Sequence, residues 1–498
     1  MDYAFPSPAD TPSARLTREY LNLLAASGSD ETDRRAAWRF AEQSDAYWQG
    51  HPSYIGFLPR LYDNTMRERF AGIAETAYGI LAKVMEHYRS DPAYRREFSF
   101  DPRVEELILL PRSYEEPIPL ARIDFFYDEE RDAVRFCEFN ADASSGMEES
   151  RVARESIRAC AAYRAFEARH RVHDDFEALY EGWVRTFLGI YREVQAARNA
   201  DNDDEENGRQ VTGPREERAA IAVCFDSPDP NISELERYRT LFEAAGMPCS
   251  IFDVRELAYE DGKLIGHHAL AGDSDVTVSC VWRYCIMVDL LEHWNEVTPF
   301  LDAIRNDAAV IIGSFATHLV HDKQLFAVLH RPATSAFLTE EERAFVKESI
   351  PFTAFLDDSV LDLEAIKANP GAWIIKPTDW YSSINVHAGA DYDLQAWTEL
   401  VDRCVETSRA SRAQGNVHNE KAGSPFILQE FCTPYRTPAI PLYGREEDFT
   451  AQPQLFGNLL GAYVFAGRFT GMLSRLGPNP IITEAHGGTT TPTLWVVD

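Results

Sequence analysis

Two neighbouring segments of this chain carry side chains that could bind a metal ion and a phosphate group. Residues 122–128 read Arg-Ile-Asp-Phe-Phe-Tyr-Asp, and residues 134–140 read Val-Arg-Phe-Cys-Glu-Phe-Asn. Side chains alternate between the two faces of a strand, so the charged residues of each segment would share one face. Mg²⁺ prefers carboxylate and amide oxygens and often bridges to phosphates. The pattern therefore predicts a hairpin that holds a hard cation beside an arginine.

The register of this hairpin decides which side chains meet. A three-residue loop at 130–132 would place Asp124 opposite Glu138. The same register sets Arg122 opposite Asn140. Two carboxylates about 5 Å apart repel each other in a plain sheet, and a cation between them relieves that repulsion. The alternative is a solvated sheet face with a surface salt bridge.

The other positions of the hairpin are apolar. Alternation assigns four residues to the opposite, core-facing side: Ile123, Phe125, Cys137 and Phe139. Phe126 and Phe136 lie beside the charged residues, which favours a partly closed site over a solvated face. An alternative role for Glu138 is that of a structural acid facing Arg122.

Charge and composition exclude several classes of partner. The chain has 498 residues, with 49 Lys and Arg against 80 Asp and Glu, giving a formal net charge of −31. A surface this negative repels nucleic acid and anionic lipid, so an anionic ligand must meet a local cluster of Arg and Lys. No apolar run approaches the ~20 residues of a membrane span, and no secretory signal is expected. The eight scattered cysteines predict reduced thiols and a cytoplasmic location.

Periodicity predicts the elements of the first part of the chain. Helical spacing covers three stretches: 14–26, 36–49 and 66–88. They predict a helical segment over residues 1–100. Residues 105–110 and the segments after them look like strands, and residues 147–195 return to helix. The acidic, polar run at 199–217 predicts a disordered insertion.

From residue 218 strands and helices alternate. Apolar runs predict four strands: 219–225, 247–252, 276–282 and 308–312. With a helix at 233–245, they indicate a mostly parallel sheet covered by helices on both faces. Four more strands are predicted in the tail: 373–375, 426–430, 459–466 and 490–497. The predicted class is α/β or α+β with several lobes.

Other common catalytic motifs are missing from the sequence. It contains no Gly-x-x-x-x-Gly-Lys-Ser/Thr loop, no Gly-x-Gly-x-x-Gly after a strand and no Gly-x-Ser-x-Gly elbow. His318 and His321 have the spacing of a metal pair, but no nearby Cys or further His completes a set of ligands. We interpret them as polar residues that flank a helix start.

The charged hairpin also resembles a known motif. Arg122-x-Asp124 followed by Glu138-x-Asn140-Ala-Asp142 is similar to the motif of the glutathionylspermidine synthase family, a circularly permuted ATP-grasp. Four further segments resemble that family in the same order: 308–325, 373–377, 426–431, and 471–475 with 481–483. Together they cover about residues 100–498. Ordinary ATP-grasp enzymes place the metal carboxylates after the nucleotide-binding lysines, and here the carboxylates come first, as the permutation implies.

The resemblance implies a domain plan. The first part of the ATP-grasp, with the metal-binding hairpin, would span 101–198. A pre-ATP-grasp domain with a parallel α/β sheet would span 218–318, and the nucleotide-binding lobes 319–498. Residues 1–100 would form the helical segment, without the amidase domain that bifunctional family members carry.

The resemblance also implies roles in binding ATP and Mg²⁺. Lys323 and Lys376 would contact the nucleotide phosphates. Backbone groups around residues 429–431 would read the adenine edge; these residues are Gln429, Glu430 and Phe431. After Lys376 the family usually has a glycine-bearing loop, whereas this loop has no glycine, and Ser382 and Ser383 would donate hydroxyl groups instead.

The remaining implied roles are catalytic. Asp124, Glu138 and Asn140 would hold one or two Mg²⁺ ions. Arg122 would steady the transferred phosphate. Arg475 would hold the acyl phosphate or the substrate carboxylate, with a structural pairing as the alternative.

These roles predict an ATP-dependent carboxylate–amine ligase that forms an amide through an acyl phosphate. The carboxylate would be a small molecule or peptide. Asp142, Glu148 and Glu149 would suit a cationic amine, although the last two could simply lie at a helix start. The alternatives are an inactive nucleotide-binding scaffold and an ATP-grasp phosphotransferase. We expect no nucleic-acid or membrane partner, and a dimer is a further expectation.

Overall fold

The structure is a computed structural model that describes residues 9–48, 50–204, 217–227, 231–380, 383–417 and 424–497. Its fold is mixed α/β, as predicted. Among the helices in these ranges, none is long and apolar enough to cross a membrane. All eight cysteines lie within these ranges and none forms a disulfide.

Helices cover most of residues 12–108, and the predicted helices at 14–26 and 66–88 are confirmed. The helix predicted at 36–49 is wrong at its end, because the observed helix spans Asp30–Glu42 and residues 47–48 form a strand. The helices are α1 (Pro12–Ser27), α2 (Asp30–Glu42), α3 (Asn64–Ser90), α4 (Pro92–Arg95) and α5 (Pro102–Ile108). The strands up to residue 140 are β1 (Tyr47–Trp48), β2 (His51–Pro52), β3 (Ile55–Gly56), β4 (Arg60–Asp63), β5 (Leu120–Asp128) and β6 (Ala133–Asn140). Thr11 fixes the start of α1, because its side chain accepts a hydrogen bond from Ala14 N at 3.1 Å.

The strand predicted at 105–110 is wrong, because α5 covers most of that segment. Asp101 caps this helix by accepting a hydrogen bond from Arg103 N at 2.8 Å, and Pro102 occupies its first position. Val104, Leu107 and Ile108 are buried at helical spacing. A run of neighbouring apolar residues at a helix end therefore resembled a strand.

The middle of the chain alternates as predicted. The helices are α6 (Met147–Arg158), α7 (Ala161–Glu167), α8 (Phe176–Asp204), α9 (Ser233–Ala244), α10 (Met287–Glu292) and α11 (Trp294–Arg305). The strands are β7 (Val172–His173), β8 (Ala219–Val223), β9 (Cys249–Asp253), β10 (Leu257–Glu260), β11 (Lys263–Gly266), β12 (Ala269–Ala271), β13 (Val276–Val278), β14 (Cys280–Arg283) and β15 (Val310–Ile312). Helix α8 continues through residue 204, so the first part of the predicted disordered insertion is helical, and residues 205–216 lie outside the described residues.

The last part of the chain holds the remaining elements. The helices are α12 (His318–His321), α13 (Gln324–Leu329), α14 (Pro332–Ser335), α15 (Glu340–Ser349), α16 (Leu363–Ala368) and α17 (Leu394–Ala413). The strands are β16 (Thr353–Phe355), β17 (Trp373–Pro377), β18 (His387–Ala388), β19 (Phe426–Glu430), β20 (Arg436–Ala439), β21 (Pro441–Leu442), β22 (Gln454–Phe465), β23 (Arg468–Gly477), β24 (Thr489–Thr491) and β25 (Thr493–Val496).

Three sheets position the site. The largest has the order β21-β3-β24-β23-β22-β5-β6, with β20 also pairing with β22, so it combines strands from both ends of the chain. The second, β12-β9-β8-β14-β15, is parallel except for β12, which confirms the predicted mostly parallel sheet. The third, β16-β19-β17-β18, is antiparallel.

The β5–β6 hairpin reaches the predicted pairing by a different route. Asp128 pairs with Ala133, so the turn has four residues and the predicted three-residue loop is wrong. Asp128 Oδ1 accepts hydrogen bonds from the N–H groups of Glu130 (3.0 Å) and Arg131 (3.1 Å), which stabilises this longer turn. An irregularity at Cys137 then takes up one extra residue of β6 and restores the register. Cys137 consequently leaves the predicted apolar face and lines a cavity.

Candidate active site

The charged face of the hairpin brings together the four predicted side chains. Asp124 pairs across the strands with Glu138, and Arg122 pairs with Asn140, as predicted. Arg122 binds both oxygens of Asp124, from Nε at 2.7 Å and from Nη2 at 2.8 Å. Asn140 Nδ2 donates to Asp124 Oδ2 at 3.1 Å and to Glu138 Oε1 at 3.2 Å. Two carboxylates and an amide thus converge, and this donor set fits a hard cation such as Mg²⁺.

Burial and neighbouring charges shift the pKa values of the two carboxyl groups in opposite directions. Burial raises the pKa of Asp124 to about 6 against the opposing effect of Arg122. Burial acts in the same direction on Glu138, but Lys323, Arg122 and Lys376 outweigh it and lower the pKa of Glu138 to about 2. Glu138 is therefore an anion at neutral pH with three cations around it.

Gly461 of β22 makes room for the Arg122–Asp124 pair, and sequence reasoning missed it. Gly461 lies opposite Asp124, and a Cβ there would come 2.7 Å from Asp124 Oδ1 and 2.9 Å from Arg122 Cδ. Arg122 Nη1 also donates to Ser145 O at 2.6 Å, and the Tyr463 hydroxyl donates to the same oxygen at 2.7 Å. The contacts made by β22 join segments that are more than 300 residues apart in the chain. A local sequence pattern therefore could not predict them.

Lys323 and Lys376 reach the hairpin from two other segments and are both buried. Lys323 follows α12, and its Nζ donates to Trp380 O at 2.7 Å. Lys376 lies on β17, and its Nζ donates to Gln429 Oε1 at 2.8 Å and to Cys137 O at 3.3 Å. The structure thus brings both predicted lysines to the β5–β6 hairpin.

The four charged or polar side chains of the hairpin and both lysines line one cavity of about 640 Å³. The hairpin forms one wall, and the sheet that carries Lys376 and Gln429 forms a second. Arg475 and residues 480–485 form a third wall, and Tyr284 and Asp289 belong to a fourth, beside the parallel sheet. A cavity of this size accommodates a nucleotide-sized or substrate-sized molecule.

The residues predicted to read adenine line this cavity, but two of their donors are occupied. The backbone N–H of Glu430 donates to Phe352 O at 2.8 Å, and that of Phe431 donates to Ala372 O at 2.8 Å. Glu430 has an exposed side chain, whereas Gln429 is buried and holds Lys376. The N–H groups of Glu430 and Phe431 are therefore not free for a base at this edge.

The glycine-free loop after Lys376 contains two residues in the left-handed region. Ser383 and Asn385 both have φ of 57°, a conformation that favours glycine. Ser383 lines the cavity, whereas Ser382 lies outside the described residues. Two non-glycine residues therefore hold a backbone shape for which glycine is usual.

Arg475 lines the cavity from β23, between Leu459 and Thr490 of the neighbouring strands. Its Nε is buried and has no hydrogen-bond partner among the described residues. A buried unpartnered donor is costly unless a ligand satisfies it. This geometry suits a carboxylate or phosphate group of a substrate.

Sequence reasoning also missed Arg283, whose side chain is fully buried. It forms an ion pair with Asp142 and donates to Gly313 O at 2.7 Å and Cys285 O at 2.8 Å. Thr317 Oγ1 donates to Asp142 Oδ1 at 2.6 Å. This network connects the end of β6 to β14. Because Asp142 is buried and paired with Arg283, it is not available to bind an amine. The sequence feature that could have indicated this residue is a charged side chain directly after the apolar residues of β14.

The two histidines are buried. They are the first and last residues of α12, so the prediction that they flank a helix start is not exact. His318 Nδ1 lies 3.5 Å from Asp142, and its Nε2 lies 3.7 Å from Asp379. Burial lowers the pKa of His321 to about 4, so this side chain is neutral. Within the described part of the chain, no three His, Cys, Asp or Glu residues are grouped as metal ligands.

Carboxylates line the cavity wall beside the parallel sheet. They include Asp226, which follows β8, and Asp289 and Glu292, one turn apart on α10. Burial raises the pKa of Asp289 to about 7, and the charges of Glu292 and Asp379 act in the same direction. The raised pKa reflects burial together with repulsion between carboxylates, and a cation bound beside them would relieve that repulsion.

The three carboxylates predicted to attract an amine have different surroundings. Asp142 is paired with Arg283, and Glu148 forms an ion pair with Arg151 and accepts a hydrogen bond from the Tyr180 hydroxyl. Glu149 lines the cavity. Both Glu148 and Glu149 also lie in the first turn of α6, which fits the alternative helix-start role.

Glu234 stabilises the turn that follows Ser145, whose carbonyl oxygen binds Arg122. Its Oε2 accepts hydrogen bonds from the N–H groups of Glu148 at 2.9 Å and Gly146 at 3.3 Å. Burial, and then the charge of Glu149, raises the pKa of Glu234 from its usual 4.5 to about 8. The folded state therefore favours the protonated acid. The stabilisation is full below the usual pKa of 4.5 and is lost as pH rises through about 8.

We accordingly expect Glu234→Gln to raise the midpoint of thermal unfolding above that of the wild type at about pH 9 and to change it little at about pH 5. Glutamine keeps an acceptor for the two N–H groups and cannot ionise. Differential scanning calorimetry at the two pH values measures this difference. A difference that does not change with pH would contradict the assignment.

No protein-family profile and no curated protein sequence matches the chain. Its fold is similar to that of a glutathione synthetase-like effector from Globodera pallida, with a TM-score of 0.54, 11% identity and complete coverage of both chains. A putative gamma-glutamylcysteine synthetase from Methylobacillus flagellatus KT has a TM-score of 0.35 and 10% identity over 82% of each chain. The ATP-grasp ligase PsnB has a TM-score of 0.19 and 12% identity over 55% of this chain and 88% of its own. The last two similarities are too low to bear on the fold.

Proposed function

We propose that this protein is an ATP-dependent carboxylate–amine ligase with a circularly permuted ATP-grasp site. The observation that carries this proposal is the convergence on Glu138 of Arg122, Lys323 and Lys376, which lower its pKa from three separate segments. Such a mixture of ionised acid and clustered cations suits Mg²⁺ and nucleotide phosphates. The likeness in fold to a glutathione synthetase-like effector supports the same class.

In this proposal a substrate carboxylate attacks the γ-phosphate of ATP and gives an acyl phosphate and ADP. Glu138, Asn140 and Asp124 would hold Mg²⁺, which when bound supplies positive charge to the phosphate oxygens. Lys323 and Lys376 bind the phosphates as mobile point charges, and Arg122 orients the transferred group.

An amine then attacks the carbonyl carbon of the acyl phosphate, displaces inorganic phosphate and loses a proton, which leaves the amide. Arg475 holds the carboxylate end of the acyl donor, because its buried Nε has no protein partner among the described residues. Carboxylates that line the cavity, with Asp289 and Glu149 among them, favour an amine that carries additional positive charge. A substrate pair like that of glutathionylspermidine synthase, a peptide carboxylate and a cationic amine, fits these walls. We further propose that the protein acts in the cytoplasm with reduced thiols.

Hydroxylamine trapping tests this function. We expect the protein with MgATP, hydroxylamine and a pool of amino-acid and γ-glutamyl peptide carboxylates to release ADP and a hydroxamate in equal amounts. Lys376→Ala should lower both products by about 100-fold, because one phosphate-binding cation is lost. Arg409→Ala, an exposed change on α17, serves as the control and should leave both products unchanged. ADP formed without hydroxamate, or a phosphorylated hydroxyl or histidine acceptor, would contradict the ligase assignment.

A further inference from the structure

A second cleft, of about 440 Å³, lies beside the catalytic cavity, and Glu430 at the end of β19 lines both. Arg343 and Lys347 enter it from α15, where they are four residues apart and so share one face of the helix. Arg135 enters from β6. The packing of Phe345 of α15 against Phe136 of β6, with ring centroids 5.8 Å apart, holds these two elements together. Three permanent cations thus meet in one small cleft.

These cations are exposed, and none of the three forms an ion pair with another described residue. Arg135 Nη1 donates to the backbone oxygen of Val134 at 3.2 Å, and Arg343 Nη1 donates to that of Ser335 at 3.3 Å. Glu430 is the one acidic residue among the described residues that line the cleft. In a chain with a net charge of −31, an unneutralised basic cluster of this kind is the local surface where an anion can bind.

The cleft also has an apolar floor. Four of its lining residues are buried aliphatic side chains: Leu329, Leu338, Val346 and Ile350. Phe352 contributes an aromatic ring that is 44% exposed. Burial lowers the pKa of His330, which contacts Pro351 O at 2.9 Å, so this imidazole adds no charge at neutral pH. Cations above an apolar floor suit a ligand with two chemically different parts.

We propose that this cleft is a binding site, separate from the catalytic cavity, for a small organic anion: a phosphate or carboxylate group on an aromatic or branched apolar body. The anionic group lies among Arg135, Arg343 and Lys347, and the apolar body lies on the floor against Phe352. The volume of about 440 Å³ admits a single molecule of that size. This site does not depend on the proposed ligase activity.

Calorimetry with phenyl phosphate and inorganic phosphate tests the proposal at low ionic strength, where screening is weak. The Lys323→Ala/Lys376→Ala/Arg475→Ala protein is used, because it lacks three cavity side chains to which phosphate or carboxylate binding is assigned. We expect one phenyl phosphate per chain, bound about tenfold more tightly than inorganic phosphate because the ring is buried. Adding Arg343→Glu and Lys347→Glu should weaken phenyl phosphate about tenfold or more.

The matched control adds Arg403→Glu and Arg409→Glu, which makes the same change in charge at exposed positions of α17. It should change the affinity less than about twofold, because neither arginine lines the cleft and exposed charges are screened. Where the charge-reversed helix does not fold, Arg135→Gln alters one exposed side chain and repeats the test. Absence of saturable binding, equal weakening by both double variants, or equal affinity for the two phosphates would overturn the proposal.

Discussion

Replacing Glu138 by glutamine is expected to abolish magnesium-dependent binding of ADP and to lower turnover by about 100- to 1000-fold. Glutamine keeps the shape of the side chain and an acceptor for Asn140 Nδ2, now 3.2 Å from Oε1, but removes the charge. The low pKa of Glu138, about 2, shows that the surrounding cations stabilise this anion in particular. Isothermal titration calorimetry of MgADP and of ADP with a chelator measures the magnesium dependence.

Glu149→Gln is the matched control, because Glu149 lines the same cavity and lies on α6, outside the β5–β6 hairpin. It should leave the affinity for MgADP unchanged. Equal losses in the two variants would mean that the cavity responds only to its total charge, and the hairpin would lose its assigned role. Wild-type protein that binds no MgADP would leave the fold without the nucleotide site.

Truncation of Arg283 to alanine is expected to lower the free energy of unfolding by about 3–5 kcal/mol. The change leaves the Asp142 carboxylate buried without its main counter-charge, although Thr317 Oγ1 still donates to it at 2.6 Å. Arg283 also satisfies the carbonyl oxygens of Gly313 and Cys285, which then lose their donor. The shift in the urea midpoint, at constant slope, measures this loss.

Arg305→Ala provides the comparison. Arg305 pairs with Glu106 at 2.8 Å, but the two side chains are 28% and 47% exposed, so the expected loss is less than about 1 kcal/mol. A similar small loss for Arg283→Ala would show that water or a neighbouring group replaces the guanidinium. The link between the hairpin and the parallel sheet would then not depend on this ion pair.

The choice between an enzyme and an inactive scaffold depends on the loop after Lys376. The absence of glycine there was the sequence feature that favoured a scaffold. Ser383 and Asn385 nevertheless adopt positive φ, each at a cost of about 1 kcal/mol relative to ordinary backbone. Positive φ at two residues other than glycine shows that the lack of glycine does not prevent left-handed backbone in this loop.

The sequence alone was sufficient to predict the cross-strand pairs of the β5–β6 hairpin and the parallel sheet. Strand alternation and the assumed register predicted that Asp124 lies opposite Glu138. The apolar runs of β8, β9, β14 and β15 predicted buried parallel strands. Both features are local, because side-chain periodicity is a property of a few consecutive residues. The turn is one residue longer than predicted, but the irregularity at Cys137 restores the predicted pairing of Asp124 with Glu138.

The positions of Lys323 and Lys376 at this hairpin were expected only from the resemblance to a family. The roles of Gly461, Arg283 and the cleft around Arg343 had no sequence signal strong enough to predict them. Each depends on contacts between segments far apart in the chain: β22 beside β5, β14 beside the end of β6, and α15 against β6. Local sequence determined which groups could do chemistry, and tertiary packing decided which of them share a cavity, because distance and burial between remote segments set their charges and partners.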